Sequence, residues 1–116
     1  MSHLLPVRWV GQTIREVREL PEWARHDIGK DLNRVQRGLE PSSWAPMEQI
    51  GAGVREVKVK QGNNIARCVY LVAGQPVAVW VLHAFIKKDQ RTPEKNKTIA
   101  RQRLRVAIAA MKDHQR

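Results

Sequence analysis

Residues 54–72 read VREVKVKQGNNIARCVYLV, and the period inside this stretch decides the fold. Val57 and Val59 alternate with Glu56, Lys58 and Lys60, the two-residue repeat of a strand with one apolar and one polar face. Gly62, Asn63 and Asn64 tolerate positive φ and make a turn; Ile65 to Val72 follow as a second strand. Ala73-Gly74-Gln75-Pro76 supplies another turn. Val77 to Ile86 are then rich in β-branched and aromatic residues, which suits a strand buried on both faces. Consecutive short turns predict an antiparallel meander of three strands.

Upstream the period is helical. Leu4 to Val10 form a short edge strand, after which Thr13-Ile14-Arg15-Glu16 matches a capping box, with hydroxyl and carboxylate satisfying orphan amides at a helix start. Pro21 suits the first turn of a second helix, and Ile28, Leu32, Val35 and Leu39 recur on one stripe until Gly38 and Pro41 end it. A helical hairpin is therefore expected over residues 13–38, and a loop over 41–53. Downstream, Thr92 with Pro93 reads as a helix cap and first position, and Ala100, Leu104, Ala107 and Met111 form an inward stripe. The order strand, helix, helix, three strands, helix is α+β, a small twisted, mainly antiparallel sheet. Its helices are expected on one face, the other staying free for a ligand.

The 116 residues fit one domain, 1–116, and 42% hydrophobic with 28% charged residues is a globular composition. No apolar run is long enough to span a bilayer, and no export leader is visible, so the expected setting is cytoplasmic. The net charge of +10 favours a polyanionic partner. From Lys87 to Arg116, ten Lys or Arg face three Asp or Glu, so the polyanion is expected at that end. Cys68, the single cysteine, reads as core. The four histidines are scattered without a metal-ligand spacing. No glycine-rich phosphate loop and no nucleophile elbow occur, and no cofactor is implied.

The remaining chemistry lies in cations on the strands. Arg67 interrupts an apolar face and demands an anion: either a substrate phosphate or Glu56 across the sheet. Arg55, Lys58, Lys87 and Lys88 converge on it if the strands pair in order, making a cluster able to bind phosphate and stabilise an RNA-cleavage transition state. His83 stands open between a structural hydrogen bond and a general acid. Arg91, Lys95, Lys97, Arg101 and Arg105 continue the positive surface along the last helix; the alternative for the group Arg101, Arg103 and Arg105 is an ordinary wet helix face.

The blocks Arg55-Glu56-Val57-Lys58-Val59, Ala66-Arg67-Cys68-Val69-Tyr70 and Val81 to Pro93, with HAFIKKDQRTP at 83–93, occur in the order seen in toxins of the RelE/ParE superfamily. They resemble its phage-derived HigB-like branch. Ile99-Ala100-Arg101-Gln102-Arg103-Leu104 matches the family's terminal helix, so the resemblance covers nearly the whole chain. It implies a ribosome-dependent mRNA interferase of a type II toxin-antitoxin pair, acting in the A site without metal through attack of a 2′-hydroxyl on the adjacent phosphate. On that resemblance Arg67 stabilises the transition state and Lys87 or Lys88 acts as base or electrostatic stabiliser. Arg55 and Lys58 orient RNA, and His83 occupies a motif position. Cys68 and Asp89 depart from the family's usual residues. A helix-turn-helix antitoxin is the implied partner, with operator DNA reached indirectly through it. Two alternatives stand beside this: a ParE-like toxin of DNA gyrase, and a non-catalytic basic module that binds ribosomal RNA or DNA.

Overall fold

A computed structural model describes residues 4–87 and 92–114 of the chain. The elements run β1 (Val7–Trp9), α1 (Thr13–Glu19), α2 (Glu22–Gln36), β2 (Trp44–Pro46), β3 (Arg55–Gln61), β4 (Asn64–Ala73), β5 (Ala78–Lys87) and α3 (Glu94–His114). They build a five-stranded open sheet in the order β1-β5-β4-β3-β2. The expected meander is its centre: β3, β4 and β5 pair antiparallel, and Gly62, at φ 60°, begins the two-residue turn between Gln61 and Asn64. β1 lies at the edge, parallel to β5. The opposite edge is β2, a three-residue strand antiparallel to β3 inside the stretch expected as loop. Pro41 and Pro46 in that stretch conceal it, because a short strand at an edge tolerates missing N–H groups. Among the described residues no helix is long and apolar enough to cross a membrane.

The expectation that all helices share one face is corrected. β-Strand side chains alternate, and both sides of this sheet are apolar at its centre. Val57, Cys68, Tyr70 and Val81 pack with Ala24, Ile28, Leu32 and Val35 of α2. Val69, Leu71 and Leu82 pack with Ala100, Leu104 and Ala107 of α3. Two half-cores therefore sandwich β4 and β5, and the ligand face is not a bare sheet. Cys68 is buried, as expected of core, and burial pushes its thiol up to about 12.

The helix boundaries have local causes. The α2 stripe ends at Val35, earlier than expected. Gly38, at φ 79°, lets its own N–H donate to the Val35 carbonyl and that of Leu39 to the Arg34 carbonyl, a Schellman ending that no continued helix allows. Leu39 is therefore thrown outward, 43% exposed against 4% for Leu32. The Thr13–Glu16 capping box does not form: the Thr13 hydroxyl donates to the Val10 carbonyl, and Glu16 reaches β5 instead. Thr92 is likewise not a cap; the Pro93 carbonyl accepts the first α3 amides, from Asn96 and Lys97.

This boundary predicts that Leu32→Ala costs about 2–5 kcal/mol, as a large-to-small change in a packed core. Leu39→Ala should fall within about 0.5 kcal/mol of wild type, as a surface change. Urea unfolding of both variants checks it; equal losses would place Leu39 in the core stripe.

Candidate nucleic-acid interface

Strand register gathers the candidate cations into rows on the α3 face of the sheet. Lys58, Arg67 and Phe85 lie directly across β3, β4 and β5, and Lys60, Ile65 and Lys87 form the next row on the same face. Neighbouring strands are about 5 Å apart, which puts Lys60 and Lys87 roughly 10 Å from each other across Ile65. Lys60 is exposed, while Lys58, Phe85 and Lys87 are half-buried. Lys58 and Lys87 are thus brought onto one surface, as expected. Lys88 and Arg91 lie outside the described residues.

Arg67 is not on that surface. It is only 1% exposed and lies beside Glu56, which is fully buried. Its Nη1 donates to Glu56 Oε1 at 2.9 Å and to Thr92 Oγ1 at 2.9 Å, and the Thr92 hydroxyl donates to Glu56 Oε2 at 2.9 Å. Of the two readings left open, the cross-sheet carboxylate is the anion Arg67 meets. The guanidinium therefore forms the floor beneath Lys58 and Phe85, and direct phosphate contact does not fit this geometry. Spacing alone does not reveal Thr92, the third member of the group.

Arg55 does not join the cluster either. Three positions separate it from Lys58, an odd number, so it points from the opposite face. There its Nη1 donates to Glu40 Oε2 at 2.8 Å, and its guanidinium lies 4.0 Å from the centre of the Trp44 ring.

His83 is buried in a second polar group. β5 carries a bulge: Val69 pairs with His83 and Tyr70 with Val81, leaving Leu82 as the extra residue. His83 thereby shares the α3 face with Leu82. Its Nδ1 donates to Glu16 Oε1 at 2.8 Å, its Nε2 lies 2.6 Å from the Asn96 amide oxygen, and its ring stacks on Phe85 at 5.0 Å. Both ring nitrogens are occupied, which is the structural alternative for this residue. Arg103 completes the group, its Nη1 donating to Glu16 Oε1 at 2.7 Å and to the Leu82 carbonyl at 3.0 Å. Glu16 also accepts the Ala84 N–H, on the stretch of β5 that β1 no longer covers. Sequence reasoning missed Asn96 and Arg103. The available signal was helical spacing, which puts Asn96 four residues before Ala100 on the buried stripe.

Along α3, Lys95 and Arg105 are exposed. Lys97 and Arg101 both face Glu94, at 3.5 and 3.6 Å, and Arg101 donates to the Gln49 carbonyl at 3.0 Å. These two cations are partly neutralised, so the stronger field comes from the sheet lysines. Among the described residues no three His, Cys, Asp or Glu side chains are grouped as metal ligands.

The family model described as phage-derived protein Gp49-like matches residues 15–105, most of the chain and all of the surface just described. No curated protein matches the sequence. Among solved structures, the chain is similar to a double-arginine mutant of the E. coli toxin RelE in its free state. The identity is 20% and the TM-score 0.54, over 72% of this chain and 82% of the other. That likeness shows a RelE-like fold.

Two stability measurements test these assignments. Arg67→Ala leaves the Glu56 carboxylate buried without its charge partner and should cost about 3–5 kcal/mol, whereas Lys58→Ala should stay within about 0.5 kcal/mol. Comparable urea midpoints for the two would remove Arg67 from the scaffold. The second measurement concerns Glu16. Burial pulls its carboxyl up, but the contacts with Arg103, His83 and the Ala84 N–H outweigh that and hold it below its ordinary 4.5. A depressed carboxyl stabilises the fold above its unfolded value and loses that contribution as pH falls through the folded one. The stability advantage of wild type over Glu16→Gln should be constant near neutrality and shrink below pH 4.5. An advantage that grows on acidification would reverse the assignment.

Proposed function

Because this chain belongs to the phage-derived Gp49-like family, a RelE-like toxin family, we propose that it is the toxin of a toxin-antitoxin pair. On this reading residues 1–116 are a single toxin domain that cuts messenger RNA on the ribosome, with its cognate antitoxin, a helix-turn-helix protein, as the neutralising partner.

The observation that carries this reading is the lysine surface of Lys58, Lys60 and Lys87, set over the buried Glu56–Arg67–Thr92 group. RNA cleavage by its own 2′-hydroxyl needs no cofactor from the protein. The oxygen attacks the adjacent phosphorus, the bond to the 5′-oxygen breaks, and the products are a 2′,3′-cyclic phosphate and a 5′-hydroxyl. The pentacovalent transition state gathers negative charge on the equatorial oxygens, and preorganised cations lower its energy. Lys58 and Lys87 supply that charge. One of Lys87 and Lys88, the next residue in the sequence, starts neutral and receives the 2′-hydroxyl proton while the other adds positive charge, and the departing 5′-oxygen takes its proton from water. Lys60, Lys95 and Arg105 meet flanking phosphates, with Lys97 and Arg101 contributing less because Glu94 offsets them. Arg67 and His83 act as positioning residues: Arg67 holds the sheet beneath the lysines, and His83 fixes the strand that ends in Lys87.

A second reading has an observation of its own. With Arg67 and His83 both turned inward, the cations that the described sheet strands present on this surface are lysines, which also suits a basic module that binds ribosomal RNA and cuts nothing.

Purified protein incubated with a defined message, free and on programmed ribosomes, separates the two by primer extension. Cuts confined to the ribosome-bound message, ending in a 5′-hydroxyl, are expected. Lys58→Ala/Lys87→Ala should lower their rate by about 100-fold or more, with an unchanged melting temperature and retained ribosome binding. Intact message beside normal binding would establish the non-catalytic module; intact message without binding would turn the test to DNA gyrase.

A further inference from the structure

Phe85 stands between the lysines of the α3 face. It shares a row with Lys58 and Arg67, which puts Lys58 roughly 10 Å away across the buried guanidinium. Lys87 follows two residues on along the same face of β5, roughly 7 Å away. Phe85 is the single phenylalanine of the chain. A ring placed between two ammonium groups and left partly in water costs apolar area that the core does not recover.

Packing accounts for only part of this ring. Phe85 packs against the apolar cluster that α3 builds over Val69 and Leu82, yet it is half-buried where those two are buried. The His83 ring is stacked on it, with 5.0 Å between centres and 26° between planes. His83 is itself fixed at both nitrogens, by Glu16 at 2.8 Å and by the Asn96 amide oxygen at 2.6 Å. The phenyl plane is therefore set before any ligand arrives, with part of its surface open. Filling the rim of a core needs no aromatic ring, since an aliphatic side chain of similar size is tolerated there at small cost.

The neighbours of the ring name its ligand. Phosphates meet the lysines but find nothing on a hydrocarbon ring. A nucleobase offers a π-face whatever its hydrogen-bonding edge, and cations that track a backbone with an aromatic side chain between them suit a single strand. We propose that Phe85 is a base-stacking subsite of the lysine surface. One unpaired base of a single-stranded RNA lies on the open part of its ring, and the phosphates on either side of that base meet Lys58 and Lys87. This rests on the reading of the lysine rows as an RNA site. It adds a contact that selects unpaired bases, which charge alone does not do.

Two short fluorescein-labelled strands test it by anisotropy: an oligoadenylate, and a strand of equal length and charge whose riboses carry no base. Wild type should bind the adenylate strand about ten-fold more tightly or better. Phe85→Leu should abolish that difference and leave the affinity for the base-free strand unchanged, and Phe85→Tyr should restore it. Lys58→Ala/Lys87→Ala should weaken both strands. A second measurement needs no variant. With one phenylalanine in the chain, a ring-labelled sample gives a single Phe signature in NMR, which should shift with the adenylate strand and stay in place with the base-free one. Equal affinity of wild type for the two strands, or a preference that survives Phe85→Leu, overturns the stacking subsite and leaves the lysine surface standing. Binding of neither strand overturns both.

Discussion

The buried contact of Glu56, Arg67 and Thr92 constrains everything built around it. A carboxylate and a guanidinium taken out of water lose several kcal/mol of hydration each, and recover it only if both partners stay in place with their remaining polar atoms bonded. Here each Glu56 oxygen accepts a hydrogen bond, one from Arg67 and one from Thr92. The group sits between adjacent strands, so a one-residue slip of β3 against β4 would swing one charge to the opposite apolar face. It also reaches Thr92, two residues before α3, and fixes where that helix begins over the sheet. One interaction therefore sets the register that aligns Lys58 with Phe85 and Lys60 with Lys87, and the origin of the helix beside them.

The bulge in β5 does complementary work at the other end of the α3 face. An extra residue lets Leu82 enter the apolar core while His83 turns to the same side, where Glu16, Asn96 and Arg103 meet it. Helices from both ends of the chain are thereby tied to one strand. Glu16 is the hinge of this arrangement, because its carboxylate answers one orphan strand amide and two side chains at once. The two polar groups flank the apolar patch under α3. Both are tied together within the protein, which makes them a frame for the surface above.

Much of this was legible in residues 54–72, where alternation gave the paired strands and the rows of lysines. Helix stripes were equally plain, since Ala100, Leu104 and Ala107 are buried as their spacing requires. What escaped was the destination of polar side chains. Thr13, Glu16 and Thr92 each sit in sequences that read as local caps, and each instead bonds to a residue outside its own helix. Local pattern has no access to such partners, because the competing acceptor is supplied only once the sheet has formed. The same blindness placed Arg55 beside Lys58: convergence was inferred from charge, while the odd spacing that separates them by face was already present in the chain. For Arg67 the sequence offered two anions, and burial chose between them, since an internal carboxylate pairs with it without opening the core to water.

The two faces of the sheet now differ in a way that bears on how a small basic protein sorts its partners. A net charge of +10 attracts any polyanion at long range, and salt screens that attraction within about 8 Å at physiological ionic strength. Charge alone therefore selects neither partner nor side. On the α3 face the sheet strands offer lysines, flexible donors that suit phosphates at several positions. On the α2 face Arg55 is held against Trp44 and Glu40 beside an apolar hollow. A polyphosphate chain gains nothing from such a hollow, so the two faces differ in what they offer beside charge.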